Sequence, residues 1–296
     1  MKKIEHILFV VNPIAGDNDK TELIHLVEKS LEERKIKLTI YKTTGVNDQE
    51  QIQQKVKEND FDCIFVAGGD GTIKIVAEGV LNEDVPLALF PSGSANGFAL
   101  NFDIPETPQE QLEVALNGKV EHIDVLKIND HISLHLADFG VNADLIKNYD
   151  KSQLRGKMGY LMQSIPTLMK SEHPYTFKIV SEETSKTVEA SVLSIANCQK
   201  YGTGACINPQ GKTNDGQFEI IAFKNLNLIE IIKTFTDQID LNPDFAEVLS
   251  VKSAEVFCEH AVSFQIDGEY LGKLKNVKVK LLNQAIPLMV PTFYSS

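Results

Sequence analysis

The stretch Val66-Ala67-Gly68-Gly69-Asp70-Gly71-Thr72-Ile73 decides how the chain is read. Ahead of it, Phe61-Asp62-Cys63-Ile64-Phe65-Val66 is a short apolar run of the buried-strand type. Behind it, Ile73, Val76 and Val80 recur at helical spacing. Three glycines and one aspartate therefore occupy the turn between a strand and the helix it feeds. Such turns suit phosphate, because amides converge at a helix N-terminus and glycine lets the backbone approach an anion closely. Asp70 sharpens the reading. A carboxylate beside a polyphosphate repels it unless a divalent cation lies between them, so the aspartate points to Mg²⁺ and a nucleotide. The plainer alternative is a tight Asp-Gly turn with no ligand.

Working outward, the same pattern repeats. A first strand, His6 to Val11, enters Asn12-Pro13-Ile14-Ala15-Gly16-Asp17-Asn18, and a helix follows from about Asp19 with Ile24, Val27 and Leu31 on one face. The G-K-[S/T] ending of a P-loop is missing there. Lys37 to Tyr41 forms a second strand, followed by Thr43-Thr44-Gly45 and a helix capped near Asn47 or Asp48 that carries Ile52 and Val56 inward. Past the opening stretch, the strand Val85 to Phe90 ends in Pro91-Ser92-Gly93-Ser94-Ala95-Asn96-Gly97, where Ser94 and Asn96 carry groups able to bond a phosphate or nucleotide. Ligands of open α/β sheets collect at the carboxyl ends of the strands, so three such loops can converge on one ligand. Thr107-Pro108-Gln109-Glu110 is a capping box, and its helix stops at Asn117-Gly118. Residues 1–122 are thus expected to form an α/β domain with a mostly parallel sheet.

After about residue 120 the texture becomes β-rich and antiparallel, over residues 123–285. Strands are expected at Val120 to Ile128, His131 to Phe139, Tyr175 to Val180, Thr187 to Ala196, Gln217 to Phe223, Val251 to Cys258, Ala261 to Asp267 and Val277 to Leu282. Helices are expected over about 157–170, interrupted by Pro166, and 228–239, capped by Asn227 with Glu230 at the third position. Met158, Leu161, Met162, Ile165, Leu168 and Met169 form an apolar face that suits core or lipid. Gly202-Thr203-Gly204 reads as a flexible loop. Asn214-Asp215-Gly216 reads as a hairpin turn or a metal-ligating corner, and Asp267-Gly268 as a hairpin turn.

The 296 residues are 43% hydrophobic, and 29 basic against 41 acidic side chains leave a net charge of -12. That balance argues against nucleic acid as the main partner. It leaves room for a local basic patch on an anionic membrane. No run reaches the roughly 18 apolar residues of a membrane span, and the first apolar run is too short for a signal peptide. A cytoplasmic protein, peripheral to the membrane at most, is the expectation.

Taken in order, Asn12-Pro13-x-x-Gly16, Gly68-Gly69-Asp70-Gly71-Thr72, Pro91-x-Gly93-Ser94-x-Asn96 and Asp267-Gly268-Glu269 resemble the diacylglycerol kinase catalytic family, which includes bacterial lipid kinases and sphingosine and ceramide kinases. The second element is shared with NAD kinases and, in a close variant, 6-phosphofructokinases; the first and last point to the lipid branch. The resemblance implies an N-terminal α/β domain, a C-terminal β-sandwich-like domain, a tail of about residues 286–296 returning to the first domain, and an active site in the cleft between them. It implies an ATP site lined by Asn12, Pro13, Ile14, Ala15, Gly16, Thr44, Gly68, Gly69, Gly71, Thr72, Ser94 and Asn96. Asp70 would hold the nucleotide's Mg²⁺, and Glu269 would be the general base toward the lipid hydroxyl. A structural Mg²⁺ would sit at Asp215 and Gln217, with Asp124 joining through water. Ser94 stands where threonine is usual and keeps the hydroxyl, while Asn214 and Lys212 leave fewer negative ligands at the structural site. Pro209-Gln210-Gly211 is unusual, and Asp138 places an acid where a small or polar residue is typical. The implied activity is ATP- and Mg²⁺-dependent phosphorylation of diacylglycerol or a related lipid at a membrane surface, with a homodimer as one expected assembly. An NAD kinase-like enzyme, a sphingoid or other amphiphile kinase, and a non-catalytic nucleotide-binding regulator remain open.

Overall fold

The computed structural model describes residues 3–16, 19–81, 83–140, 143, 174–201, 204–225, 227, 230, 233–234 and 242–295. The chain divides into two compact units, Met1–Ile123 with Gln284–Ser296, and Asp124–Asn283.

In the first unit the chain runs β1 (His6–Val11), α1 (Thr21–Glu33), β2 (Lys37–Lys42), α2 (Asp48–Glu58), β3 (Cys63–Gly68), α3 (Asp70–Gly79), β4 (Leu87–Pro91) and α4 (Pro108–Asn117), and β5 (Lys119–Ile128) leads out of it. The strands pair in parallel in the order β2, β1, β3, β4. Their register is level: Val11 lies opposite Lys42 and Ala67, and Gly68 opposite Pro91. The loops after β1, β3 and β4 therefore leave the sheet at one edge. The chain order reverses between β1 and β3, and such a switch point is where α/β sheets open a crevice for a ligand.

Packing explains the unbroken apolar runs. Ile7, Phe9, Val11, Phe65 and Phe90 are buried with Val27 and Leu31 of α1 and Leu112 and Leu116 of α4. The alternate residues Leu8, Val10, Ile64 and Val66 are equally buried. α3 packs on β3 and against α2, close enough that a Cβ on Gly79 would lie 3.1 Å from the Gln49 carbonyl oxygen. Strands covered on both faces cannot alternate with polar residues. The Thr107 box forms as expected, with the Glu110 amide donating to Thr107 Oγ1 at 3.3 Å and that hydroxyl donating to Glu110 Oε2 at 2.6 Å.

The second unit contains the end of β5, then β6 (His131–Ser133), β7 (Leu136–Gly140), β8 (Tyr175–Val180), β9 (Ser185–Ala190), β10 (Val192–Ala196), β11 (Lys200–Tyr201), β12 (Ala205–Cys206), β13 (Phe218–Phe223), β14 (Ala246–Val251), β15 (Ser253–Ile266) and most of β16 (Glu269–Val290). Its strands are antiparallel, ordered β14, β13, β10, β7, β15, β16, with β8 and β9 paired beside the first half of β15. Phe139, Phe177, Phe218, Phe264 and Val256 lie in its core, where the Phe139 and Phe264 rings are 4.4 Å apart. The last residues of β16 belong to the first unit, where Leu288 pairs in parallel with Leu87.

Several expected elements change. The run His131 to Phe139 breaks at Leu134 and His135, because the amides of Leu134, His135 and Leu136 turn to the Asp267 carboxylate. The run Thr187 to Ala196 breaks at Ser191, so β9 joins β8 while β10 joins β7 and β13. Val251 to Cys258 and Ala261 to Asp267 are instead one strand with a bulge between Phe257 and Val262, and Val251 closes β14. β14 and the full length of β16 were not expected. The helix over 157–170 with its methionine-rich face, Gly202-Thr203, and most of 228–239 lie outside the described residues; Asn227 Oδ1 does accept the Glu230 amide at 3.4 Å. Among the described residues no helix is long and apolar enough to cross a membrane.

The docking of residues 284–296 is testable at Gly118, where a Cβ would lie 2.4 Å from the Val290 carbonyl oxygen and 2.5 Å from that of Val114. Gly118→Ala is expected to destabilise the protein by about 1–3 kcal/mol in urea denaturation. An unchanged transition would mean that the tail is not held against this site.

Candidate active site

The first unit's three glycine loops interlock through contacts that only these residues permit. Asn12 Nδ2 donates to Thr72 Oγ1 at 3.0 Å, tying the loop after β1 to the first turn of α3. Gly16 has φ +61°, and a Cβ there would lie 2.5 Å from the Ser92 carbonyl oxygen, so the first loop touches the third. A Cβ on Gly93 would lie 2.5 Å from Gly69 Cα, so the second and third loops meet backbone to backbone. The Thr72 side chain folds over Gly68, where a Cβ would come within 2.4 Å of it. Gly71 differs from these. Nothing lies within 4 Å of where its Cβ would project, and the space opens beside the N-terminus of α3. An open flank beside a helix N-terminus suits the approach of an anion.

Asp70 is half-buried at the first position of α3. Its Oδ2 accepts the Gly97 amide at 2.9 Å and its Oδ1 the Phe98 amide at 3.0 Å. Each oxygen retains a lone pair, so a divalent cation remains compatible with the carboxylate. Asn96 (φ +54°) closes the third loop on itself, its Oδ1 accepting the Gly93 amide at 2.7 Å and its Nδ2 donating to the Gly93 carbonyl at 3.1 Å. Ser94, Pro13 and Ile14 are exposed, and Ala15 holds the loop through its amide to the Asn12 carbonyl. Thr44 sits on the loop after β2, where its amide and hydroxyl bond Asp48 rather than the other loops. Burial pushes the Asp48 carboxyl up, but the Thr44 amide, the Tyr41 hydroxyl and the Gly45 amide outweigh it and the net shift is downward. Burial and the Asp48 bond push the Tyr41 hydroxyl up to about 12.

Lys20 was not anticipated. It is 5% exposed, and its Nζ donates to the Ala15 carbonyl at 2.8 Å and the Ser92 carbonyl at 3.4 Å. Burial holds the ammonium below the usual lysine value, with Asp19 pulling the other way. A cation thus ties the first loop to the third. Its signal was faint, a lysine immediately before an amphipathic helix.

In the second unit, Asp267 and Gly268 are the two central residues of a hairpin turn between β15 and β16, both with positive φ (+50° and +88°), the pattern of a type I′ turn. Glu269 opens β16 and is exposed. The Asp267 carboxylate accepts from Ser133 Oγ at 2.8 Å and from the amides of Leu134, His135 and Leu136 at 3.1 Å each, while its own amide donates to the Leu136 carbonyl at 2.8 Å. These bonds offset the cost of about 1–3 kcal/mol for a non-glycine residue in the left-handed region. The Asp-Gly element is therefore a hairpin turn, and it also fixes where Glu269 starts.

Asp124 is fully buried and meets the 213–217 segment: its Oδ2 accepts the Gly216 amide at 2.8 Å, and its amide donates to the Thr213 carbonyl. Asp215 Oδ1 accepts the Gln217 amide at 3.0 Å, within its own turn. Asn197 Nδ2 donates to the Asp124 carbonyl at 2.7 Å, while Asn197 Oδ1 and Thr213 Oγ1 are buried with no partner. Hard neutral oxygens beside a carboxylate fit Mg²⁺. Among the described residues, however, no three acidic, histidine or cysteine side chains gather as a metal cluster. Glu219, also missed from the sequence, is buried nearby and accepts from Asn208 Nδ2 at 2.6 Å; burial raises its carboxyl pKa. Gly211 belongs to the same arrangement, since a Cβ there would lie 2.1 Å from Asn208 Nδ2.

The Asp70 clamp can be read in solution. In Asp70→Ala, hydrogen-exchange protection of the Gly97 and Phe98 amides is expected to fall at least about tenfold, matching the loss of a charge-assisted bond. Asp70→Asn, which keeps one acceptor, should fall between the two. Equal protection in all three proteins would show that something else holds the loop.

Residues 6–128 match the profile of the diacylglycerol kinase catalytic domain, and residues 136–290 that of the YegS C-terminal NAD kinase beta sandwich-like domain. A protein of Chromohalobacter salexigens named as a probable YegS-like lipid kinase is 28% identical over 86% of this chain and 84% of its own. A Bacillus subtilis protein named diacylglycerol kinase is 26% identical over 92% of each. Among solved structures, one from Bacillus anthracis superposes with TM-score 0.85 at 22% identity. A second, described as a diacylglycerol kinase from the same organism, superposes with TM-score 0.79 at 20% identity. Each of the two covers 100% of both chains. With both profiles matched in order along the chain, the protein belongs to the diacylglycerol kinase catalytic domain family.

Proposed function

We propose that the protein transfers the γ-phosphoryl group of ATP to a hydroxyl of diacylglycerol or a closely related lipid. The observation that carries the nucleotide half is the open space beside Gly71, at the head of a helix braced by three interlocked glycine loops. Phosphoryl transfer requires little covalent chemistry from the protein and much positioning and charge neutralisation. Bound Mg²⁺ supplies that neutralisation, and Asp70 is the residue that would hold it. The helix amides of Asp70 and Gly71 and the braced loops orient the phosphates. Glu269 takes the proton from the lipid hydroxyl as the new oxygen–phosphorus bond forms and the bond to ADP breaks. The lipid half is supported by the names of the relatives, which include lipid and diacylglycerol kinases. A lipid acceptor places the reaction at a membrane surface, with the protein cytoplasmic and peripheral.

The test is a radiolabelled-ATP assay on mixed micelles of diacylglycerol, a sphingoid base or phosphatidylglycerol, with NAD as a soluble acceptor. Label is expected in diacylglycerol. Glu269→Gln should lower kcat at least about 100-fold and leave the KM for ATP unchanged. Label in NAD alone, or in no acceptor while ATP still binds, would overturn the lipid reading.

Lys20→Met should raise the KM for ATP about tenfold or more with little change in kcat, since it unties two nucleotide loops by removing a charged hydrogen-bond donor. An unchanged KM would remove Lys20 from the site.

A further inference from the structure

One buried carboxylate in the second unit has no part in the scheme above. Asp138 on β7 and Gln265 on β15 face each other in register, and both are fully buried. Their neighbours Ala137, Phe139, Phe264 and Ile266 point into the aromatic core, so by strand alternation Asp138 and Gln265 share the opposite face. Gln265 Nε2 donates to Asp138 Oδ2 at 2.6 Å. The other end of the same amide, Oε1, accepts the Gly268 amide at 2.8 Å. Gly268 is the second residue of the hairpin turn, and Glu269 follows it directly.

This arrangement has one permitted polarity. A glutamine amide can be turned end for end, and only its partners decide which way it points. Here a reversed amide would set Nε2 against the Gly268 N–H, donor to donor, and Oε1 against a carboxylate, acceptor to acceptor. Asp138 Oδ2, accepting from Nε2, and the Gly268 N–H, donating to Oε1, both favour the same orientation of the amide. An asparagine, serine or threonine there can still accept from Nε2 but can also turn to donate, so it adds less to the polarity that the Gly268 N–H already favours. That gives a physical reason for an acid at a position where the family resemblance leads one to expect a small or polar residue.

We infer that Asp138 is a positioning residue that acts through Gln265 to fix the turn carrying Glu269. The inference rests on the reading of Glu269 as the base. The turn is then held from two sides: Asp267 binds it to the 133–136 segment, and the Asp138–Gln265 pair binds Gly268. Asp267 fixes the first residue of the turn, and Asp138 fixes the second.

The test is a swap. In Gln265→Glu, two buried carboxylates oppose each other, and kcat should fall about 100-fold or more. In the double variant Asp138→Asn with Gln265→Glu, the acceptor-only group now sits at 265. It takes a hydrogen bond from the asparagine amide and still accepts the Gly268 N–H, so kcat should return to within about twofold of the parent. Asp138→Asn alone should lower kcat about three- to tenfold with the KM for ATP unchanged. Exchange protection of the Gly268 amide is read in the same proteins, and also serves if Gln265→Glu does not fold. It should be high in the parent and the double variant and reduced in Asp138→Asn. A double variant no more active than Asp138→Asn, or equal Gly268 protection throughout, overturns the inference. Full activity in Glu269→Gln overturns the base assignment instead, and leaves the Gly268 exchange pattern to stand or fall separately.

Discussion

The loop architecture of the first unit depends on one carboxylate reaching across a gap in the chain. Asp70 opens α3 and accepts two successive amides, Gly97 and Phe98, from a loop nearly thirty residues onward. The loops it gathers are rich in glycine, and glycine loses more backbone freedom on ordering than any other residue. Left to themselves, such loops would sample many shapes. Asp70, with Asn12 to Thr72 and Lys20 to Ala15 and Ser92, makes three flexible segments behave as one surface.

The same device recurs in the second unit and once more in the first. Asp267 gathers three successive amides and a hydroxyl, and Asp48 gathers the Thr44 and Gly45 amides beside α2. Aspartate suits this work because its side chain is short and, when ionised, only accepts. In each case a turn that sequence alone would leave loose is fixed within its own unit.

Much of the fold was legible because it rests on local rules. Continuous apolar runs ending in glycine turns give parallel strands, and the capping box gives the start of α4. What was not legible depends on distant partners. Leu134 and His135 alternate like strand residues, and only the remote Asp267 carboxylate pulls their amides out of the ladder. Ser191 interrupts an unbroken β pattern because the chain changes partners there. The β14 segment, Ala246–Val251, lacks clean alternation of apolar and polar residues, although Asn242-Pro243-Asp244 marks a turn ahead of it. At the candidate site, Gly68, Gly69 and Gly93 were readable as a pattern, but the distinct task of each appears only once Thr72 and the facing backbones are placed. At Asp267-Gly268 the hairpin reading holds, and the same turn sets where Glu269 begins.

The last strand carries a consequence for how the protein is made. Leu288 pairs with Leu87 about two hundred residues earlier, and Gln284–Ser296 adds a strand beside β4, whose other parallel partner, β3, lies before residue 92. On a ribosome those residues emerge only after the whole second unit. Until then β4 has an open edge, and open edges of apolar strands invite pairing with the wrong chain. The first unit must wait for the second to be synthesised before its last strand can dock beside β4. A contact of such long sequence separation also favours slow closure of the sheet. The protein's earliest-translated half is therefore among the last parts to be finished.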